Sequence, residues 1–258
     1  MSKLQNSYNT EKEKQHSKRT QRKGGLMLGI IGAMDEEVAK IKEHMTETTI
    51  EKIAGMEFHK GILEGKDVVT VRSGIGKVNA GICTQILIDH FGVDAVINTG
   101  IAGSLRSDIK IGDIVLSTDT VQHDMDASGF GYSYGQIPRL DTLSFPADEK
   151  LIDLAEKCCR EVNPQISVFR GRVVSGDQFV SEQTKKDTIA NIFEGFCTEM
   201  EGAAIGQVAY LNKIPYLVIR AISDNADDTA GIDYDTFEKQ AIENSAKLMI
   251  AMTAAYEG

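Results

Sequence analysis

Cysteine is scarce in this 258-residue sequence, which contains only Cys83, Cys158, Cys159 and Cys197. Their spacing matches no zinc-binding pattern, and four cysteines in a chain of this length do not make a disulfide framework. The five histidines add no paired metal-ligand spacing, either with one another or with a cysteine. We therefore expect a protein that needs no metal and resides in a reducing compartment, namely the cytoplasm.

Long apolar runs and a secretory signal are also missing. The longest apolar stretches have the length of a β-strand and fall well short of a membrane span. No segment combines a basic end, an apolar stretch and a small-residue cleavage site. These absences predict a soluble protein that does not have a membrane as its partner.

Positive charge is concentrated in the first 25 residues. This segment carries seven Lys and Arg against two Asp and Glu, a net charge of +5, so that with −10 for the whole chain residues 26–258 carry −15. Such an acidic folded part argues against nucleic acid as a partner. Residues 1–25 contain only Leu4 and Tyr8 as large apolar residues, so we expect a disordered leader, with a basic recruitment tail as the alternative.

Apolar runs and helical patterns alternate along residues 26–258, without a linker or an internal repeat. The predicted strands cover residues 27–32, 68–73, 95–98, 113–117, 168–174, 196–198 and 215–222. Helices are predicted over residues 35–45, 77–90, 150–161, 201–212 and 234–256, and Val78, Ile82 and Ile86 mark one face of the second helix. This alternation predicts a single α/β domain, a three-layer αβα sandwich around a twisted, mixed and mostly parallel sheet.

Carboxyl groups follow the predicted ends of several strands. Glu37 comes after the first strand, Asp224 after the last, and Glu201 at a strand-to-helix junction, while Gly100 and Gly103 would permit a tight turn. Each acid has a purely structural explanation, as a first-turn charge or an N-cap. Ligands of such sheets bind where the carboxyl ends of strands meet, so these acids are expected to converge. Two carboxyl groups in different environments can divide acid and base roles, as glycoside cleavage requires.

The chain from Met27 to its C-terminus resembles the methylthioadenosine/S-adenosylhomocysteine nucleosidase family. The number and order of the matching motifs make the resemblance specific: GIIGAMDEEV (29–38), SGIGKVNA (73–80), NTGIAGSL (98–105), GDIVLS (112–117), FGYSYGQIP (130–138), VSGDQFV (174–180), TEMEGAA (198–204) and RAISDNAD (220–227). It implies a nucleoside phosphorylase-like fold and a nucleosidase domain over residues 26–258. It also implies a cofactor-free hydrolase that releases adenine from methylthioadenosine, S-adenosylhomocysteine and 5′-deoxyadenosine, in methionine salvage and S-adenosylmethionine recycling.

The resemblance also implies catalytic roles. Glu37 matches the family's general base, which activates water, and Asp224 matches the general acid, which protonates adenine N7. Glu201 matches the residue that binds the ribose hydroxyls. Ser223 and Arg220 are expected to orient Asp224.

Further residues match the family's binding pocket. Phe179 and Val180 match the adenine site, the first by stacking and the second through its backbone. Met200 matches a residue on the sugar face, and Ala102 and Gly103 match a loop near the adenine and the sugar. Met34 and Ile75 match residues that line the sugar and alkylthio region. A loop with Phe130, Tyr132 and Pro138 matches one that reaches the neighbouring subunit's pocket, which predicts a homodimer. The chain departs from the family pattern at Ile101 and Ser104, where Ser and Gly are common.

Three other functions fit parts of the sequence. A nucleoside phosphorylase of the same fold would need a cationic phosphate pocket, which Arg72 and Lys77 beside the SGIG turn could provide. A dinucleotide-binding module is suggested by residues 74–81, which lack the full GxGxxG spacing. A non-catalytic nucleoside sensor would keep the pocket, but the intact Glu37, Glu201 and Asp224 argue against it.

Overall fold

A mixed β-sheet forms the centre of the structure. The computed structural model describes residues 25–258, apart from the side chains of 232–235, so the expected leader lies outside the described residues except for Gly25. The strands are β1 (Met27–Gly32), β2 (Thr46–Ile53), β3 (Met56–Leu63), β4 (Lys66–Arg72), β5 (Ala95–Ser104), β6 (Ile114–Gln122), β7 (Phe145–Pro146), β8 (Val168–Ser175), β9 (Cys197–Glu199) and β10 (Tyr216–Asp224).

Helices connect most of these strands. They are α1 (Asp35–His44), α2 (Lys77–Ile86), α3 (Glu149–Val162), α4 (Gln183–Phe193), α5 (Gly202–Asn212) and α6 (Ala230–Ala255). A π-helical turn (Leu87–Phe91) continues α2, and a 3₁₀ turn (Ser128–Phe130) lies in the loop after β6. Within residues 25–258, no helix is both long and apolar enough to cross a membrane.

Parallel strands occupy the middle of the sheet. β1 lies between β4 and β5 and is parallel to both, and β5 is also parallel to β10. β10 is antiparallel to β6, which is parallel to β8. β9 pairs in parallel with β8 and in antiparallel orientation with β5, while β3 and β2 extend the edge beyond β4 as antiparallel strands. The sheet is therefore mixed, as predicted.

Helices cover the sheet in two groups. α6 packs against β5 and β10 and contacts α1 and α3, whereas α5 packs against β6 and β8 and contacts α2. Every residue of β1, β5 and β10 is buried, which explains why these strands appear in the sequence as nearly continuous apolar runs. The predicted αβα architecture is confirmed.

The strands that carry the candidate site are longer than predicted. β5 continues to Ser104 and β10 to Asp224, because the two strands stay paired through Ala102 with Ile222 and Gly103 with Asp224. The register shifts between Ile222 and Asp224, which marks a bulge. Ala102, Gly103, Ser223 and Asp224 therefore lie on sheet backbone rather than in loops that follow the strands.

Other differences concern the sheet edge and the helices. The hairpin of β2 and β3 was not predicted, because β2 is polar and exposed along nearly its whole length. The helix α4 was also missed, and α6 begins four residues before the predicted position 234. The predicted helix 77–90 ends its α-helical part at Ile86, where the π-helical turn begins.

Two of the three residues in the apolar stripe predicted on α2 face outward. Val78 is 72% exposed and Ile82 is 43% exposed, while Ala80, Cys83 and Thr84 form the buried side of the helix. Ile86, the third residue of the stripe, is half-buried and packs against the core. Val78 and Ile82 therefore leave exposed apolar surface on this helix.

The unpredicted strand β3 should matter for stability. Phe58 is fully buried on β3, and its ring stacks on Phe91 with centroids 5.0 Å apart. We expect Phe58→Ala to lower the free energy of unfolding by about 3–5 kcal/mol in urea titrations, because it leaves a cavity. The control Ile50→Ala, at a 59% exposed position of β2, should change it by about 0.5 kcal/mol or less. Equal effects of the two substitutions would show that β3 is not part of the core.

Candidate active site

Glu37 is held by main-chain N–H groups from two strand ends. It lies in the first turn of α1, where its Oε2 accepts hydrogen bonds from the N–H groups of Ala33 (2.6 Å) and Met34 (3.1 Å). Its Oε1 accepts from the N–H of Ile101 at 3.2 Å. Burial raises the pKa of Glu37, and the charge of Arg220 and the three N–H groups only partly offset this. A buried carboxyl group with a raised pKa suits a base that works near neutral pH.

Asp224 ends β10 and is 2% exposed. Its Oδ2 accepts a hydrogen bond from the Ser223 hydroxyl and its Oδ1 accepts one from the Ala226 N–H, both at 2.8 Å. The Ser223 hydroxyl thus contacts the residue that we expect it to orient. Arg220, the other residue expected to orient Asp224, contacts Asn98 and Glu199.

Arg220 is a buried cation shared by the glutamates. Its guanidinium donates to Asn98 Oδ1 at 2.5 Å and to Glu199 Oε2, and its Nη2 lies 3.8 Å from Glu201 Oε2. Burial disfavours its charge, but the charges of Glu199, Glu201 and Glu37 together hold the pKa of Arg220 above its ordinary value. Arg220 thus balances the negative charges of Glu199, Glu201 and Glu37, and it contacts Glu199 and Glu201 directly.

Glu199 is a site residue to which the sequence analysis assigned no role. It accepts hydrogen bonds from the Ser175 hydroxyl and from the N–H groups of Glu201 (3.1 Å) and Gly202 (2.8 Å), besides the one from Arg220. It therefore caps the start of α5 and fixes the chain that carries Glu201. The position of Glu199 shortly before α5 could have indicated this role from the sequence, since acids are favoured at the N-terminus of a helix.

Glu201 faces the N-terminus of α2. Its Oε1 accepts a hydrogen bond of 2.8 Å from the N–H of Gly76, the residue that precedes α2. Burial and, after it, the charge of Glu199 raise the pKa of Glu201 to about 8, although Arg220 and the Gly76 N–H act in the opposite direction. Glu201 therefore keeps its proton to higher pH than an ordinary glutamate does.

Two glycines on β5 leave room for the acids. A Cβ on Gly100 would lie 2.5 Å from Glu37 Oε1 and 2.9 Å from Arg220 Nη1. A Cβ on Gly103 would lie 2.6 Å from Asp224 Oδ1. Both glycines lie inside the strand, so close approach of side chains, and not the expected tight turn, explains them.

A small cavity adjoins Asp224. Its volume is about 30 Å³, and it is lined by Asp224, Gly103, Gln178, Phe179, Val180, Thr198, Glu199 and Met200. The residues expected at the adenine and at one face of the sugar therefore lie together. Phe179 is 53% exposed at this cavity, whereas Val180 is buried in an apolar cluster that includes Ala226.

The remaining predicted residues do not line the cavity beside Asp224. Ala102 is buried, and its carbonyl accepts a 3.4 Å hydrogen bond from the Ser223 hydroxyl. Met34 is half-buried beside Glu37, and Ile75 is 54% exposed just before Gly76. The loop residues do not line the cavity of their own chain: Phe130 is 89% exposed, Pro138 is exposed and Tyr132 is half-buried.

Two positions that depart from the family pattern make main-chain and local contacts. Ile101 contributes its backbone N–H to Glu37, so this contact does not depend on its side chain. The Ser104 hydroxyl donates to the carbonyl of Arg106 at 2.8 Å. Both residues therefore fit a site in which Glu37 is oriented by the backbone.

Known proteins are similar to this chain in sequence and in fold. Residues 27–254 match the family model of the phosphorylase superfamily. A 5′-methylthioadenosine/S-adenosylhomocysteine nucleosidase of Exiguobacterium sp. (strain ATCC BAA-1283 / AT1b) is 41% identical over 233 residues, which cover 90% of this chain and 99% of that protein.

Solved structures agree with the sequence comparison. A nucleosidase of the same name from Neisseria meningitidis, in complex with methylthio-immucillin-A, gives a TM-score of 0.86 at 38% identity, covering 89% of this chain and 99% of that one. Futalosine hydrolase of Helicobacter pylori strain 26695 gives a TM-score of 0.84 at 36% identity, covering 88% and 97%.

The raised pKa of Glu201 predicts a pH-dependent stability. Its pKa rises from 4.5 to about 8 on folding, so its contribution is fully present below about pH 4.5 and is lost as the pH rises to 8. Glu201→Gln mimics the protonated acid and removes this term. We expect the free energy of unfolding of the wild type to fall, relative to Glu201→Gln, between pH 5 and 8.

Urea titrations at several pH values measure this difference. The control Glu182→Gln alters an exposed acid and should keep the pH dependence of the wild type. Parallel curves for the wild type and Glu201→Gln would mean that folding does not raise the pKa of Glu201.

Proposed function

Because the chain belongs to the phosphorylase superfamily, as one of its 5′-methylthioadenosine/S-adenosylhomocysteine nucleosidases, we propose that it hydrolyses the N-glycosidic bond of these two nucleosides. The products are adenine and the 5-thio-substituted ribose, which places the enzyme in methionine salvage, and 5′-deoxyadenosine is a further substrate. The observation that supports the proposal is the closeness of the acids to β5 and Arg220: Gly100 lies against Glu37 and Arg220, Gly103 lies against Asp224, and Glu201 lies 3.8 Å from Arg220. The four cysteines are free and buried, which suits the cytoplasm as the compartment.

Asp224 is the general acid in this proposal. It lines the same cavity as Phe179 and Val180, so a base bound between them presents its edge to the carboxyl group. Protonated Asp224 gives its proton to adenine N7, which makes adenine a better leaving group. The Ser223 hydroxyl can donate or accept, so its hydrogen bond to Asp224 persists in either protonation state.

Glu37 is the general base, which takes a proton from the attacking water. Its raised pKa gives the carboxylate a useful affinity for that proton, and three main-chain N–H groups keep its orientation during the transfer. The absence of a side chain at Gly100 leaves the space against Oε1 open. Water, sugar and acid are then held in one geometry, which lowers the entropic part of the barrier.

Glu201 holds the ribose hydroxyls. Positive charge grows on the sugar as the bond to adenine breaks, and a carboxylate beside the ribose stabilises that charge. Burial raises the pKa of Glu201 to about 8, and the developing cation favours its ionised form. Arg220 and the Gly76 N–H fix its position throughout.

Water, rather than phosphate, is the proposed nucleophile. A phosphorylase would need free cations beside the SGIG turn. Arg72 instead pairs with Asp35 at 3.3 Å, and Lys77 pairs with Asp124 at 2.5 Å and donates to Gln122. Both cations that could have formed a phosphate pocket are thus paired with carboxyl groups.

Adenine release with and without phosphate tests this proposal. We expect the same rate in both conditions with methylthioadenosine and S-adenosylhomocysteine, and futalosine is included because a futalosine hydrolase shares the fold. Asp224→Asn and Glu37→Gln should each lower kcat about 10²- to 10⁴-fold while Tm is retained. The control Glu36→Gln changes the exposed neighbour of Glu37 and should keep wild-type turnover. Phosphate-dependent release, or normal turnover in Asp224→Asn, would refute the mechanism.

A homodimer is the proposed assembly. The stripe of Val78 and Ile82 on α2 offers apolar surface for a second copy, and Phe130 extends from the loop that follows β6. The salt bridge of Lys77 with Asp124 holds the start of this loop beside α2. In the dimer, Phe130 and its neighbours Tyr132 and Pro138 would reach the alkylthio pocket of the partner subunit.

Charge placed on the stripe should separate the subunits. We expect Val78→Glu to convert a dimer into a monomer in sedimentation velocity and to lower turnover, because each pocket loses the loop of its neighbour. The control Ile50→Glu alters another exposed aliphatic residue, on β2, and should remain dimeric. A monomeric wild type would contradict the proposed assembly.

A further inference from the structure

Thr198 has a buried hydroxyl without a hydrogen-bond partner. It lies in the middle of β9 and is 5% exposed, and its Oγ1 contacts neither solvent nor any polar atom within bonding distance among the described residues. Burying such a group without a partner is unfavourable, and in native proteins it calls for an explanation. Thr198 also lines the cavity that contains Asp224, Phe179 and Val180.

The sheet register places Thr198 on the same face as Asp224. Thr198 is paired with Gly103 on β5 and with Val174 on β8, and directly paired residues project to one face of a sheet. On that face, a Cβ at Gly103 would lie 2.6 Å from Asp224 Oδ1. Glu199, the next residue on β9, projects to the opposite face and contacts Arg220.

We propose that the Thr198 hydroxyl is a further substrate-binding group, which forms a hydrogen bond with the nucleobase beside the Asp224 carboxyl. The inference rests on the proposed function, since it takes the ligand to be an adenine nucleoside. A hydroxyl both donates and accepts, and the edge of adenine offers ring nitrogens and an amino group, so either direction of the bond is available. The unpaired oxygen of the empty protein then gains its partner from the ligand.

The proposed role predicts different outcomes for adenine binding and for thermal stability. Thr198→Val removes the hydroxyl at nearly constant volume, so it should weaken adenine binding about fivefold in calorimetric titrations, as expected for one hydrogen bond. The ligand-free variant should not lose stability, because its Tm reports only the removal of an unpaired polar group. Thr198→Ser keeps the hydroxyl and should bind adenine within about twofold of the wild type.

Thr70 offers a matched control. It is fully buried on β4, its Oγ1 also lacks a partner, and it does not line the cavity. Thr70→Val should therefore keep the adenine affinity of the wild type. An unchanged affinity in Thr198→Val would overturn the inference, and so would a parallel loss of Tm and affinity, which would indicate a structural hydroxyl.

Cleavage of methylthioadenosine by the wild type separates this inference from the proposed function. If the wild type cleaves the nucleoside and Thr198→Val binds adenine equally well, the inference alone fails. If the wild type binds adenine fivefold more tightly than Thr198→Val but does not cleave, the hydroxyl contact is supported and the catalytic proposal fails. A wild type that neither binds adenine nor cleaves overturns both.

Discussion

The buried guanidinium of Arg220 is the constraint on which the site depends. Carboxyl groups from α1, β9 and the start of α5 are removed from water around it, and an uncompensated buried charge costs several kcal/mol. Arg220 offsets part of that cost, but not all of it, which is why the pKa of both Glu37 and Glu201 remains raised. A single cation among several acids therefore leaves protons available in the site, and acid–base chemistry requires them.

The sheet itself supplies the precision of the site. β5 and β10 stay paired up to Gly103 and Asp224, so the acid and the glycine that accommodates it belong to one hydrogen-bonded ladder. Groups carried on strands are held more rigidly than groups on loops. Ser223 adds a hydrogen bond to Asp224, and Glu199 accepts one from the Gly202 N–H at the start of α5. The bulge after Ile222 aims Asp224 away from the regular alternation and towards the cavity.

Some of this could be predicted from the sequence and some could not. The central strands were predictable because β1, β5 and β10 are buried on both faces, and the convergence of Glu37 and Asp224 follows from strand order alone. The continuation of β5 to Ser104 was not predictable, because NTGIAGS has the composition of a turn and its strand conformation comes from pairing with β10. The partners of Arg220 depend on packing between distant segments, which local sequence does not encode. The outward orientation of Val78 on α2 was not predictable either, since periodicity alone does not distinguish a core face from an exposed apolar face.

The exposed ring of Phe179 has a consequence for the heat of nucleobase binding. Phe179 is 53% exposed beside the cavity that Asp224 lines. A base that stacks on this ring removes apolar surface from water, so the heat capacity of the complex lies below that of its separate components.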